Sequence, residues 1–316
     1  MRTTLSPSLK PAGGRRLSWA VPRASTLAMV AACTIWGTSF ALGKIALHDL
    51  SVPQLILMRF LLASLVLLPL LLRERPRLPR RDMPLLFLTG ILAVPVTFLL
   101  QFYGLAMTTV TRASLIIGTA PPLMALAGMV FFGERSGMRV WMAVALSLAG
   151  IAAISGSPGA GGSWVGDGLV FLSIVTSVAW VLIMKRVSQR LTALTATGAM
   201  LVFGTLALFP VALLDGGFPR LDLPLDVWLS VIGLGVLCTA LAFVLWNWGL
   251  ERTSAARGGL FLNIEPVVGA LLGIGLLGDS FGAGVVLGGS LIIGAALWVG
   301  EGDQGAPTPT HRPTKA

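Results

Sequence analysis

Residues 260–273 read LFLNIEPVVGALLG, and the architecture follows from this stretch. Eleven of its fourteen residues are aliphatic, aromatic or glycine, yet the run also holds Asn263, Glu265 and the helix-breaker Pro266. A counterpart lies 145 positions upstream: LIIGTAPPLMALAG, residues 115–128. Pro121 meets Pro266, and Ala120 stands where the second copy has Glu265. The match runs without a gap from 98–134 to 243–279, with twelve of 37 positions identical. Phe98 meets Phe243, Gly104 meets Gly249, Arg112 meets Arg257 and Gly133 meets Gly278. Farther along, GIAAISG (150–156) aligns with GAALWVG (294–300) after one deletion, and the contexts of Pro69 and Pro210 agree. The chain reads as a duplication.

What is duplicated follows from composition. Of 316 residues, 55% are hydrophobic and 11% charged, with a mean hydropathy of +0.86. Soluble domains carry about 25% charged residues. A hydrocarbon core needs about 20 apolar residues per spanning helix. Ten spans are expected: Ser25–Leu47, Gln54–Leu72, Pro84–Ala106, Ala113–Phe132, Val140–Ser155, Val165–Met184, Ala193–Leu214, Asp226–Leu250, Ala256–Leu277 and Phe281–Gly300. The expected fold is an all-α integral membrane protein of ten transmembrane helices, built as two five-helix repeats. Five is odd, so the second repeat is inverted in the membrane. Residues 1–24 form a basic N-terminal segment and 25–156 the first repeat. A Gly/Ser/Pro linker (157–164) leads to the second repeat (165–300) and a polar tail (301–316). Inverted repeats are a frequent architecture of secondary transporters, with the substrate site near the midplane between the halves.

The net charge of +10 invites a nucleic-acid reading, but its distribution opposes one. With the N-terminus in the cytoplasm, segments on that side hold 19 of the 23 Lys and Arg residues. The opposite loops hold only Arg112 and Arg220, while Lys44 and Arg59 lie within spans. This positive-inside bias places both termini in the cytoplasm of a cell-membrane protein. Anionic lipid headgroups, not nucleic acid, are the expected partners of RERPRLPRR (73–81). The basic start and full-length first span read as an uncleaved signal anchor. Cys33 and Cys238 both fall in spans, so no disulfide framework is expected.

WGTSFALGK (36–44), the Pro53-x5-Arg59-Phe60 pattern, PPLMALAGMVFFGER (121–135) and NIEPVVGALLGIGLLGD (263–279) together resemble the EamA-type branch of the drug/metabolite transporter superfamily. The resemblance covers roughly residues 25–300; Asp279 departs from the Glu usual at its position. It implies ten helices around a central cavity and export or exchange of small metabolites, commonly amino acids, without ATP.

Glu265 is the tenth residue of its expected span, about 14 Å from the cytoplasmic end and near the midplane. An ionised group at this depth costs about 3 kcal/mol on insertion scales, so it should face a cavity or a partner. The Ala120 counterpart shows that the helix tolerates the same proline without a carboxylate. Glu265 is therefore expected to bind a proton or a substrate ammonium, with Asn263 beside it; an interhelical structural bond is the alternative. Pro121 and Pro266 break their helices, and broken backbone at membrane depth is tolerated where it lines a cavity or packs on protein. Trp36, Thr38 and Ser39 sit at mid-depth in the first span, where an indole either stacks on substrate or packs. Arg59, in the outer third of the second span, either holds a carboxylate in a fork or snorkels to the interface, as Lys44 does. WNWG (246–249) reads as an interfacial aromatic belt.

An enzyme is disfavoured. His48 and His311 are the only histidines, HExxH and GxSxG are absent, and no metal-ligand cluster is present. Gly37 to Lys44 fails the phosphate-loop pattern in spacing and in the hydroxyl after the lysine, so neither ATP nor another cofactor is expected. The pairs Gly269/Gly273 and Gly284/Gly288 permit close helix contact, within the bundle or in a homodimer. The expected function is proton-coupled or facilitated export of small polar metabolites such as amino acids, by alternating access. A passive channel or a non-transporting sensor is the alternative.

Overall fold

The computed structural model describes residues 23–74, 78–132, 138–157, 161–187, 191–215, 217–219, 221–250, 261–280 and 282–302. Most of the expected basic N-terminal segment, part of the linker, Arg190, Arg220, the start of the ninth span and most of the tail lie outside the described residues. The helices are α1 (Arg23–Ala46), α2 (Val52–Glu74), α3 (Met83–Met107), α4 (Val110–Ile117), α5 (Ala120–Phe132), α6 (Met138–Ser155), α7 (Trp164–Val187), α8 (Ala193–Leu214), α9 (Leu225–Gly249), α10 (Ile264–Leu277) and α11 (Ala283–Gly302). Helices satisfy every backbone group within the segment, which hydrocarbon demands. Eight segments are long and apolar enough to cross a membrane: α1, α2, α3, α4 with α5, α6, α7, α8 and α9. α10 and α11 are shorter apolar helices. Among the described residues, therefore, ten full-length spans resolve into eight plus two shorter ones.

The ninth expected span is interrupted at Leu262–Asn263, and Pro266 is the cause. Proline has no N–H to give to the Leu262 carbonyl, which instead accepts from Glu265 N at 3.2 Å in a tighter turn. The first repeat breaks at the matching place. Ahead of Pro121, Gly118 N donates to Leu115 O and Thr119 N to Ile116 O, each at 3.0 Å. Gly118 (φ −59°, ψ −9°) and Asn263 (φ −68°, ψ −12°), 145 positions apart, share one conformation. The breaks also meet in space, since a Cβ on Gly118 would lie 3.5 Å from Cγ of Pro266.

α3 and α9 each widen into a π-helical segment, over Leu92–Phe98 and Gly233–Leu241. In each, a threonine hydroxyl donates to the carbonyl five residues back: Thr97 to Leu92 at 2.7 Å and Thr239 to Leu234 at 2.9 Å. The side chains thereby serve carbonyls that the wide turn displaces. Pro95 forces the first widening; the second contains no proline.

Helix neighbours come in related pairs. α1 packs on α9 as α7 packs on α3, and α2 lies on α9 as α8 lies on α3. α2 with α8, α4 with α10, and α6 with α11 close the bundle. Phe40, Phe60, Phe102, Leu55, Ile56 and Leu105 fill its centre at no more than 1% exposure. Leu65, Leu72, Leu206, Leu271 and Leu276 point outward, each more than half exposed, as suits a lipid-facing surface. Small residues set the tightest crossings. A Cβ on Gly150 would come within 2.7 Å of the Gly288 carbonyl oxygen, and one on Gly284 within 2.7 Å of the Ala153 carbonyl oxygen. The Gly284/Gly288 pair is thus occupied inside the chain.

Candidate functional site

Arg59 is placed by the packing of α2 against α9. Gly235 permits this approach, because a Cβ there would lie 2.9 Å from the Arg59 carbonyl oxygen and 2.8 Å from Leu62 Cβ. The Arg59 side chain does not snorkel. It is 3% exposed, deep in the bundle, which sets aside the snorkelling alternative. Depth counted along α2 missed this because the neighbouring helices close over the guanidinium. Arg59 Nε donates to Thr239 Oγ1 at 2.9 Å. Its guanidinium carbon lies 4.8 Å from the ring centre of Phe98, 5.5 Å from Phe60 and 5.7 Å from Phe102. Stacked aromatic faces partly replace water around the cation. Among the described residues, Arg59 Nη1 is buried without a hydrogen-bond partner. The two π segments converge here, one supplying Phe98 and the other Thr239.

Glu265 lies in the first turn of α10, not midway along a continuous helix, because the break at Asn263 restarts the helix at Ile264. The positive end of the helix dipole favours a carboxylate there. Asn263 is buried at the N-cap position. Glu265 is partly buried and interacts electrostatically with Arg59. Among the described residues the two are not within ion-pair distance; the one such pair is Arg112 with Asp167. Gly37 holds α1 against this turn, since a Cβ on it would lie 2.9 Å from the Glu265 carbonyl oxygen.

Trp36 precedes Gly37 on α1 and packs on α9. Its indole Nε1 donates to the Cys238 carbonyl at 3.0 Å, in the π segment of α9. Its ring lies 5.3 Å from Trp246 and 5.6 Å from Phe243. Trp246 thus joins a partly buried aromatic cluster with Trp36. Thr38 Oγ1 bonds its own backbone at Ile35 O, 2.7 Å away, and approaches Cys238 Sγ at 3.5 Å. Ser39 is buried nearby in α1. Pro266 is buried beside Gly118, whereas Pro121 is partly buried in the first turn of α5. Lys44 is bound elsewhere: Nζ donates to the carbonyls of Leu105 (2.8 Å), Ala106 (3.3 Å) and Thr108 (2.8 Å) at the end of α3. It is a helix cap, not an interfacial charge.

The structure thus brings Trp36, Thr38 and Arg59 around Cys238 and Thr239, with Glu265 coupled electrostatically to Arg59. Sequence reasoning passed over Thr239, Cys238 and the three phenylalanines. Each widened segment holds one threonine, Thr97 and Thr239, but these are 142 positions apart and so do not align at the 145-residue spacing. Two apolar grooves, of about 210 and 230 Å³, lie elsewhere; the first is lined by Leu123, Val130 and Val175 and the second by Leu115, Ile274 and Ile293. Among the described residues no cluster of three or more His, Cys, Asp or Glu forms a metal site.

Comparison with known proteins places this arrangement. The profile described as the EamA-like transporter family matches residues 23–156 and again 164–300. The chain is 26% identical to "Uncharacterized transporter YetK" of Bacillus subtilis (strain 168) over 285 residues, covering 87% of this chain and 86% of that one. It is 27% identical over 294 residues to a "Probable terminal-alkyne amino-acid exporter" of Streptantibioticus cattleyicolor, covering 90% and 97%. A solved crystal structure shares the fold with a TM-score of 0.61 at 21% identity, over 87% of this chain and 96% of that one. With a double profile match over nearly all of a helical, multi-pass membrane chain, this protein belongs to the EamA-like transporter family and is a membrane transporter, not an enzyme.

Proposed function

We propose that the protein is a secondary transporter that exports small polar metabolites such as amino acids, by alternating access between two inverted five-helix repeats. One observation carries the reading. Arg59 and Glu265, opposite charges from opposite halves, interact electrostatically and, among the described residues, do not form an ion pair. A zwitterion spans such a gap, its carboxylate at Arg59 Nη1 and its ammonium at Glu265. Trp36 and the phenylalanines around Arg59 accept an apolar portion. Neither charge has a counterpart in the other copy: Ala120 matches Glu265, and Met200 matches Arg59 at the 141-residue spacing of Pro69 and Pro210. The fold of a repeat therefore does not require them. The matched helix breaks, the twin π segments and the related helix pairings support the duplication. The charge distribution puts both termini in the cytoplasm. Proton coupling is assigned to Glu265, whose carboxylate takes either a proton or the substrate ammonium. The amino-acid exporter among the relatives supports the substrate class.

The test is an untargeted comparison of external metabolites from cells with and without overexpression, followed by counterflow of each enriched compound in vesicles. Accumulation of zwitterions outside the cell, abolished by Arg59→Gln, supports the proposal. Flux that cannot be driven uphill by any gradient would make the protein a passive channel.

A further inference from the structure

A charged cluster away from the Arg59–Glu265 site closes one end of the bundle. Arg112 is in the first turn of α4 and Asp167 in the first turn of α7, and both are buried, at 2% and 0% exposure. They form an ion pair through Arg112 Nη2, with Nε at 3.1 Å from the same carboxylate oxygen. Ser155 Oγ, at the end of α6, donates to that oxygen at 2.7 Å. Thr108 Oγ1, between α3 and α4, donates to the other at 2.6 Å. Arg112 Nη1 donates to the Gly161 carbonyl in the connection between the two halves. One residue earlier, Asp279 Oδ2 accepts from Thr111 N at 2.8 Å and from Thr111 Oγ1 at 2.9 Å.

We propose that the Arg112–Asp167 pair is the latch of a gate at this end, and that it must break for the Arg59–Glu265 site to open there. The proposal rests on the alternating-access reading above. Three features carry it. The pair joins a helix of the first half to a helix of the second, so relative motion of the halves loads it directly. α4 has only eight residues; Arg112 is near its start, and Gly118, against Pro266, caps its end. Six residues at 1.5 Å each put the latch about 9 Å along α4 from the break beside Glu265. A two-turn helix pinned at both ends is a lever between them. The third feature is asymmetry. Arg257 repeats Arg112, but α1, which matches α7 in length at 24 residues, contains no acidic residue. The first half therefore offers no acidic residue at the place of Asp167, and this sequence difference distinguishes one end of the molecule from the other. A buried ion pair suits a switch, because it holds only while both partners are in place.

The native thiol of Cys238, fully buried beside Trp36 and Thr38, reports opening. In a Cys33→Ala background, intact cells are exposed to a membrane-impermeant methanethiosulfonate reagent. Labelling of Cys238 from outside should be slow in the parent and roughly tenfold faster in Asp167→Asn, as a latch that governs the open population requires. If Asp167→Asn strands the Arg112 charge and fails to accumulate, the double variant Arg112→Gln/Asp167→Asn removes both charges and carries the test. Unchanged labelling in either variant at normal abundance overturns the latch, and so does failure of both to accumulate, which would assign the pair to folding. Labelling requires no known substrate, so it tests the latch separately from the transport assignment.

Discussion

Arg59 and Thr239 are joined by a hydrogen bond of 2.9 Å that ties a buried cation to the π segment of α9. The Thr239 hydroxyl also donates to the Leu234 carbonyl, so it accepts from one group and gives to the other. Thr239→Val keeps the shape but removes both bonds. The carbonyl and Nε are then left unsatisfied, at about 1–3 kcal/mol for a buried group. The expected result is a lower unfolding temperature in detergent and a raised KM for a zwitterionic substrate. Thr239→Ser should retain both properties close to the parent. An unchanged KM in Thr239→Val would remove Arg59 from the binding site.

Glu265→Gln preserves size and hydrogen bonding but removes titration. This variant is expected to reach the membrane at normal abundance and to lose pH-dependent or gradient-driven transport, while Glu265→Asp keeps partial activity. Normal rate and normal pH profile in Glu265→Gln would make the carboxylate structural. Loss of abundance would instead favour an interhelical bond. Immunoblotting and flux separate the two.

The orientation is checked with single cysteines in a background lacking Cys33 and Cys238. Ser157→Cys and Ser280→Cys should react with an impermeant reagent from outside the cell. Ser136→Cys and Ser254→Cys, at positions outside the described residues, should react only from the cytoplasm. Reaction of Ser136→Cys and Ser280→Cys from one side would contradict inversion of the second repeat.

Gly150→Ala tests the crossing of α6 and α11. The added methyl would stand 2.7 Å from the Gly288 carbonyl oxygen and 2.7 Å from Cγ1 of Ile292. Overpacking of this kind costs about 1–3 kcal/mol, read as a lower unfolding temperature. Gly168→Ala, where a Cβ meets nothing within 4 Å, is the matched control and should leave stability unchanged.

Much of the helical layout was legible because hydrocarbon imposes one rule on every span, and the repeat was legible because both copies keep Pro121 and Pro266. Glu265 stood out as the charge its copy lacks. The depth of Arg59 was not legible: counting residues along α2 says nothing of which neighbours close over it, and those neighbours come from α3 and α9. Arg112 and Asp167 are 55 positions apart on different helices, and nothing in the local pattern of either announces the other. The π segments escaped because a widened turn has the composition of an ordinary helix. Only a threonine in each marks them, and its role depends on a bond five residues back.

The contact between Gly150 and Gly288 brings backbone against backbone, with no side chains between to act as bearings. Helices touching in this way cannot slide past one another without lifting apart, and lifting apart would forfeit the close packing of the crossing. α6 and α11 end their respective halves, so each half is anchored to the other through its final helix. Under the proposed alternating access, this seam is the expected axis, with the greatest travel in the helices farthest from it.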